Sequence, residues 1–477
     1  MLFKRNYNPK DVASIFAYSR ELLHRSLAEV MPAIDASVTI DEIEQDGKGG
    51  VGVLVEKYFF GYKPNSDPRP DFPEAGLELK VTPLKKLKND ELAIKERLVC
   101  DMIDYMEIVD EEFENSRFCT KSMLMLILFY LHINGCSKKD LTFLYSVLWQ
   151  IKGKDLLIIK QDFITIRDKV RRGLAHELSE GDTLYLGACR KGQKGDFLRT
   201  QPFSDIEAPR RAFSLKPAYM RTILDFVRDS GSDMATNTEM QVQKMQLVSE
   251  QELRCGTFED ILTGRLMTFK GCDYRQIAEQ FGMTVKATEK SKLARVTKRI
   301  LLEGLNDFND AEEIRKAGII VKTIRVEQNG AIRENMSFEN IDYDEVWAND
   351  EWLDSRWYEI VTSRFMFVVF RESPNADWGA EKRYVLDNMI FWTMPAHDLQ
   401  MAEDYWENIR QNVVNDTLSD TNNTFWREAD KKLFHVRPKA QTSRQKYTSP
   451  LSGIEVPKKC YWFNRKYVKQ IINEECQ

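Results

Sequence analysis

The sequence has no CxxC pair and no cysteine–histidine cluster, its eight cysteines standing apart at 100, 119, 136, 189, 255, 272, 460 and 476. That spacing offers neither a structural zinc site nor a disulfide framework, so a reducing cytoplasm is the expected setting. Long apolar runs are missing as well. No stretch of about 18 apolar residues occurs, so no membrane span is expected, and the opening MLFKRNYNPKDVAS lacks the apolar core of a secretory signal. A basic surplus is also absent: the net charge is −5, against the usual balance of a nucleic-acid binder. Local patterns run against that sum. Basic groups crowd Lys85-Lys86-Leu87-Lys88, Lys169 to Arg172, Arg190 to Lys194 and Arg210-Arg211, while acidic ones gather at Asp110 to Glu114 and Asp307 to Glu313. Each basic run reads equally as a solvated face or as a contact for a polyanion. With 477 residues, 43% of them hydrophobic, the chain exceeds one ordinary domain and has apolar content for two or three cores.

Periodicity places the first elements. Val12 to Val30 carries Ile15, Leu22, Leu23, Leu27 and Val30 near a 3.6 period and predicts one helix. A second helix is expected over Val51 to Phe60, entered through Gly47, Gly49 and Gly50, with Glu56 beyond the glycines. Expected strands are Leu77 to Leu84, ending at a proline, then Leu98 to Tyr105, Ser122 to Tyr130 and Asp182 to Lys191. Ser122 to Tyr130 is almost continuously apolar, as a strand buried on both faces would be. Helices are expected near Gln161 to Leu174 and from Ala218 to Val227, the latter opened by Pro217. Ser230 to Glu250 is polar and without a clear period. The chain is therefore divided into residues 1–230, a linker at 231–250, and residues 251–477.

The stretch Pro70-Asp71-Phe72-Pro73-Glu74-Ala75-Gly76-Leu77-Glu78-Leu79-Lys80 carries the chemistry. Side chains two apart on a strand share a face, so Glu78 and Lys80 point the same way, and Asp71 arrives from the preceding turn. Two carboxylates and an ammonium on one side suit a divalent cation and an activated water. A salt-bridged strand produces the same D-x6-E-x-K pattern. His176, before Glu177, reads as a general base or as a hydrogen-bonded structural histidine. Tyr274 to Met283 reads as half a helix-turn-helix or as a packed helix pair.

The second half echoes the first. Ala317-Gly318-Ile319-Ile320-Val321-Lys322 lies over Ala75 to Lys80 at an offset of 242, and Lys290 over Lys48. Leu433 to Lys439 lies over Tyr185 to Lys191 at an offset of 248. The shared order of these echoes implies an internal duplication. In the second copy Asp71 becomes Glu313, Glu78 becomes Ile320 and Glu56 becomes Lys298. Isoleucine cannot ligate a metal, so the second half is expected to bind or brace rather than cut.

Lys48-Gly49, Gly52-Val53-Leu54-Val55-Glu56, Asp71 and Ala75 to Lys80, continuing through Lys121 to Phe213-Ser214-Leu215-Lys216, resemble the MutH family. Leu84 to Asn89, Lys95 to Val99, Ala175 to Gly181 and Arg211 to Lys216 are similar to the branch of type II restriction endonucleases that cleave at GATC. Those enzymes carry a second, MutH-like C-terminal half, so the resemblance covers most of the chain. It implies an α/β restriction-endonuclease-like PD-(D/E)xK core, a central mixed sheet flanked by helices, duplicated as two MutH-like domains. It implies that Asp71 and Glu78 hold Mg²⁺ with the Leu79 carbonyl, and that Lys80, Glu56 and Lys121 complete the catalytic set. Lys48 would reach the bases. Arg190 and Lys191 in the first half, and Lys290, Arg437, Pro438 and Lys439 in the second, would contact double-stranded DNA. The family keeps an Arg-Pro pair that the second copy retains as Arg437-Pro438 and the first replaces by Cys189-Arg190. The expected function is that of a cytoplasmic prokaryotic restriction endonuclease paired with a cognate methyltransferase and dimerising on DNA. The alternatives are a mismatch-repair-type nickase and a non-cutting DNA-binding regulator.

Overall fold

In a computed structural model, the described residues are 5–45, 50–63, 68–87, 90–192, 198–238, 246–286, 288–302, 305, 307–349, 351–373, 382–438 and 446–475. Lys48, Lys88, Lys194 and Lys439 lie outside them, as do Gly47 and Gly49. The chain forms two units, one of residues 1–178, 182–254 and 315–317, the other of residues 179–181, 255–314 and 318–477.

The first unit is built on a mixed sheet whose centre is the apolar run expected as a doubly buried strand. That strand, β4 (Leu124–Leu131), buries Met125 to Phe129 completely. It pairs in parallel with β1 (Glu78–Lys86) and antiparallel with β5 (Phe143–Gln150). β2 (Leu92–Ile94) extends the β1 edge and β10 (Met234–Thr236) the β5 edge. A second sheet sets β9 (Arg211–Leu215) between β3 (Leu98–Met102) and β6 (Leu186–Arg190), both antiparallel to it. A hairpin of β7 (Arg199–Gln201) and β8 (Ser204–Ala208) lies between β6 and β9 in sequence. Leu79, Leu126, Leu128 and Phe143 pack on Ile15, Leu27, Leu54 and Phe59 of the N-terminal helices. A mixed α/β fold follows.

Three differences from the sequence reading have local causes. The helix expected over Val12 to Val30 is two helices, Val12–Ser19 and Leu27–Ile34. Between them His24 takes a left-handed φ of 61° and its N–H donates to the Phe143 carbonyl at 2.7 Å, while Ser26 and Glu29 form a capping box that restarts the helix. The strand expected to stop at Pro83 continues to Lys86: the Pro83 carbonyl accepts from Lys95 at 3.3 Å, so its missing N–H concerns that edge and not the pairing with β4. The polar stretch set aside as a linker contributes β10, with the Asn237 side chain bonded to both backbone groups of Gln150.

The second unit repeats much of this succession, without counterparts of β2 and β10 among the described residues. β11 (Ile320–Val326) runs parallel to β13 (Phe365–Glu372), which pairs antiparallel with β14 (Tyr384–Trp392). β18 (Lys459–Phe463) lies between β12 (Met336–Asn340) and β15 (Phe434–Pro438), antiparallel to both. A hairpin, β16 (Lys446–Thr448) with β17 (Glu455–Pro457), again falls between the outer and middle strands of that sheet in sequence. The helices Gly153–Arg171 and Ala396–Val414 are each 19 residues long and follow β5 and β14 respectively. The expected half helix-turn-helix is the helix Tyr274–Gln280, whose Tyr274 is wholly buried under the ammonium of Lys292 from the next helix.

Candidate active site

Glu78 opens β1 and is 2% exposed, a burial that an ionised carboxylate tolerates only with partners. Those partners come from three directions. Lys80, two residues on and on the same face, donates to Glu78 Oε1 at 2.8 Å. The Lys121 ammonium, in the last turn of the helix Arg117–Ser122 that leads into β4, stands 3.5 Å from the same oxygen. The Asp71 N–H donates to Glu78 Oε2 at 3.2 Å.

Asp71 reaches the strand because the chain doubles back between it and Glu78. Phe72 and Leu77 form a bridge closed by backbone bonds of 2.9 and 3.2 Å, and Gly76 takes the left-handed φ of 63° that the tight turn requires. Leu79 N–H then donates to Asp71 Oδ2 at 3.0 Å. The two carboxylates are thus clasped by each other's backbone segment.

Glu56 lies in a π-helical segment, Val55–Phe60, that continues the short helix Val51–Leu54 and ends at Gly61 with φ 76°. Such wide turns recur at functional sites. Burial first, then the charges of Asp71 and Glu78, push the Glu56 carboxyl up to about 7, with Lys80 and Lys121 pulling the other way. Glu78 is also raised, by burial and by Asp71, against the pull of Lys80 and Lys121. Burial works to discharge Lys80, but Glu78, Cys100 and Asp71 together outweigh it and the ammonium is held above its ordinary range. Glu56, Asp71, Glu78, Lys80 and Lys121 are therefore one electrostatic group, with excess negative potential among its carboxylates.

Two participants escaped the sequence reading. Lys80 also donates to the Cys100 carbonyl of β3 at 3.0 Å, and a backbone acceptor leaves no side-chain signature. Tyr62, which follows Gly61 and is given no role by the sequence, buries its hydroxyl without a hydrogen-bond partner among the described residues. His176 is tied elsewhere: the Gln201 amide lies 2.9 Å from its Nδ1, and Glu177 3.7 Å from its Nε2.

Of the expected DNA contacts, Arg190 ends β6 exposed and pairs in register with Arg211, while the Lys191 N–H donates to the Arg210 carbonyl at 2.9 Å. Lys290, Arg437 and Pro438 belong to the second unit and are exposed. Arg437 lies over the Trp462 ring at 5.4 Å, and the Trp462 indole donates to the Arg437 carbonyl at 3.0 Å. Among the described residues no cluster of three or more His, Cys, Asp or Glu donors forms a ready cation cage.

Residues 60–162 match the family described as the DNA mismatch repair enzyme MutH. The DNA mismatch repair protein MutH of Shewanella woodyi is 25% identical over 234 residues, 46% of this chain and 93% of that protein. The type II restriction enzyme Sau3AI of Staphylococcus aureus is 31% identical over 475 residues, 94% of this chain and 93% of the relative. Identity of that extent, spanning both units and the Asp71–Lys80 clasp alike, makes the chain a member of the MutH-related family of type II restriction endonucleases that includes Sau3AI.

Proposed function

We propose that this type II restriction endonuclease hydrolyses double-stranded DNA at the palindrome GATC, with Mg²⁺ at Asp71 and Glu78. The carrying observation is the buried Glu78, held by Lys80 at 2.8 Å and by the Asp71 backbone at 3.2 Å on a strand that presents carboxylate and ammonium together. GATC rests on the likeness to restriction enzymes that cut there. The donor set fits the cation: Mg²⁺ takes one or two carboxylates, keeps waters and accepts a substrate phosphate. The carboxylate repulsion that raises Glu56, from Asp71 and Glu78, and that adds to the burial of Glu78, from Asp71, is the potential that a dication relieves. When bound, Mg²⁺ would supply acidified water and neutralise charge on the phosphate.

Asp71, Glu78 and the Leu79 carbonyl would hold the cation, and Lys80 and Lys121 would offer fixed positive charge to the phosphate oxygens. Glu56, titrating near neutrality, would take the proton of the attacking water. Water adds to phosphorus, the bond to the 3′ oxygen breaks as that oxygen takes a proton from solvent, and a 5′-phosphate and a 3′-hydroxyl result. Arg190 and Lys191, with Lys48, would read or grip the DNA.

We further read residues 1–230 as the catalytic MutH-like domain, 231–250 as the connection that also lends it β10, and 251–477 as a degenerate copy that binds a second DNA segment. Support comes from the shared strand succession and from Lys322, which donates to the Ser337 carbonyl at 2.7 Å as Lys80 does to Cys100. Ile320 opens β11 where Glu78 opens β1, which leaves one cutting centre. The second cut then requires pairing of two catalytic units on DNA. Lys290, Arg437, Pro438 and Lys439 would grip the second segment. The lone carboxylate set also suits a nickase awaiting a partner, and unaided double-strand cutting excludes that reading. The test is digestion of a sequenced supercoiled plasmid with Mg²⁺ and mapping of the ends. Discrete fragments ending at GATC, blocked by prior action of the cognate methyltransferase, are expected; plasmid left intact would sink the proposal.

A further inference from the structure

Among the described residues the buried Tyr62 hydroxyl has no hydrogen-bond partner, and its ring packs on the residue next to Asp71. Its position is set by the chain before it. Gly61, left-handed at φ 76°, ends the π-helical segment, and the Tyr62 N–H turns back to the Glu56 carbonyl at 3.2 Å. The ring stands edge-on to Phe72, centroids 5.3 Å apart at 77°, and Phe72 is the residue next to Asp71. The phenol thus has its backbone on Glu56 and its ring on the neighbour of Asp71. The charges that act on it are, after burial, those of Asp71 first, then Glu56 and Glu78, all of which hold its proton in place. A phenol that stays protonated among carboxylates is a donor without an acceptor. A buried hydroxyl left so is destabilising, a state that calls for an acceptor in the working enzyme.

The geometry points to Tyr62 as a positioning residue for cation binding: in the loaded site its hydroxyl donates to the Asp71 carboxylate and fixes that side chain toward the cation. This rests on the proposed role of Asp71. Asp71 already accepts from Leu79 N–H on Oδ2 at 3.0 Å, which sets one oxygen. A second donor, to the other oxygen, would fix the plane of the carboxylate, as outer donors do around metal ligands. The phenol touches neither phosphate nor attacking water in this scheme. It acts through Asp71.

The test compares the full chain with Tyr62→Phe and Asp71→Asn, reading Mn²⁺ and Mg²⁺ affinity by calorimetry, DNA affinity, cleavage and melting. Tyr62→Phe is expected to weaken cation affinity by about 10-fold, within the range for outer-shell partners. DNA affinity should stay at the parental value, and raised Mg²⁺ should restore cleavage. The cation-free variant should melt no lower than the parent, since only an unbonded hydroxyl is lost. Parental cation affinity in Tyr62→Phe, beside the loss expected in Asp71→Asn, would overturn the role of Tyr62. A drop in melting temperature with cation affinity intact would assign it to packing and overturn the proposal equally. Should Asp71→Asn itself bind the cations as the parent does, the reading of Asp71 fails instead, and the two failures are told apart.

Discussion

Glu56 carries a consequence that concerns stability as well as chemistry. Its carboxyl titrates near 7 in the folded chain against an ordinary 4.5. The folded state therefore keeps a proton that the unfolded state has lost, and stability falls as pH rises from about 4.5 through 7. Glu56→Gln should make the cation-free protein melt higher at pH 8, by on the order of 1 kcal/mol once partial exposure is discounted, and leave it unchanged at pH 4.5. An equal effect at both pH values would contradict the assignment. Glu78→Gln is a different case, because it removes the counter-charge of Lys80 and Lys121. It should lower cleavage by about 10²–10³-fold or more while DNA binding survives, measured as single-turnover rate against gel-shift affinity. Retained cutting would remove Glu78 from the reaction.

Between residue and domain, the helix Gly153–Arg171 shows how one buried group organises the strand that ends at Arg190. The Asp162 carboxylate accepts three backbone N–H bonds, from Leu184 and Tyr185 at 2.7 Å and Leu186 at 2.8 Å, at the point where β6 begins. Burial lifts its carboxyl to about 6 although those donors pull it down. Asp162→Ala leaves three donors unmet and should cost about 3 kcal/mol in urea unfolding; a loss below 1 kcal/mol would mean that water replaces the carboxylate. The equally long helix Ala396–Val414 supports β15 by other means, the Tyr405 hydroxyl donating to the His435 carbonyl at 2.8 Å. None of this was legible in the sequence, because the acceptor and its donors lie more than twenty residues apart and carry no shared period. What was legible followed from local geometry. The i,i+2 rule put Glu78 and Lys80 on one face, and the apolar run through Phe129 announced the sheet's centre. The break at His24, the strand Phe143–Gln150 and the strand β10 escaped because pairing with distant backbone, not periodicity, creates them.

For the whole molecule, the proposed division of labour predicts a dependence on the number of DNA sites. A plasmid with one GATC should be cut slowly, and a short cognate duplex added in trans should speed the full chain. Arg437→Ala should weaken that stimulation by about tenfold, the size of one lost base contact, while slow cutting persists. Stimulation equal to the parent's would leave Arg437 outside any effector role. Within the first unit a single side chain also connects two tasks. Lys80 is bonded on one side to Glu78 of β1 and on the other to the Cys100 carbonyl of β3. β3 belongs to the sheet whose far strand ends at Arg190. That ammonium is a hinge pin: a shift of the three-stranded sheet against β1 by an ångström stretches one of its two bonds. If Arg190 grips DNA as proposed, a sequence that seats the sheet badly would also draw charge away from the carboxylate that Lys80 steadies, which would give fidelity a mechanical basis.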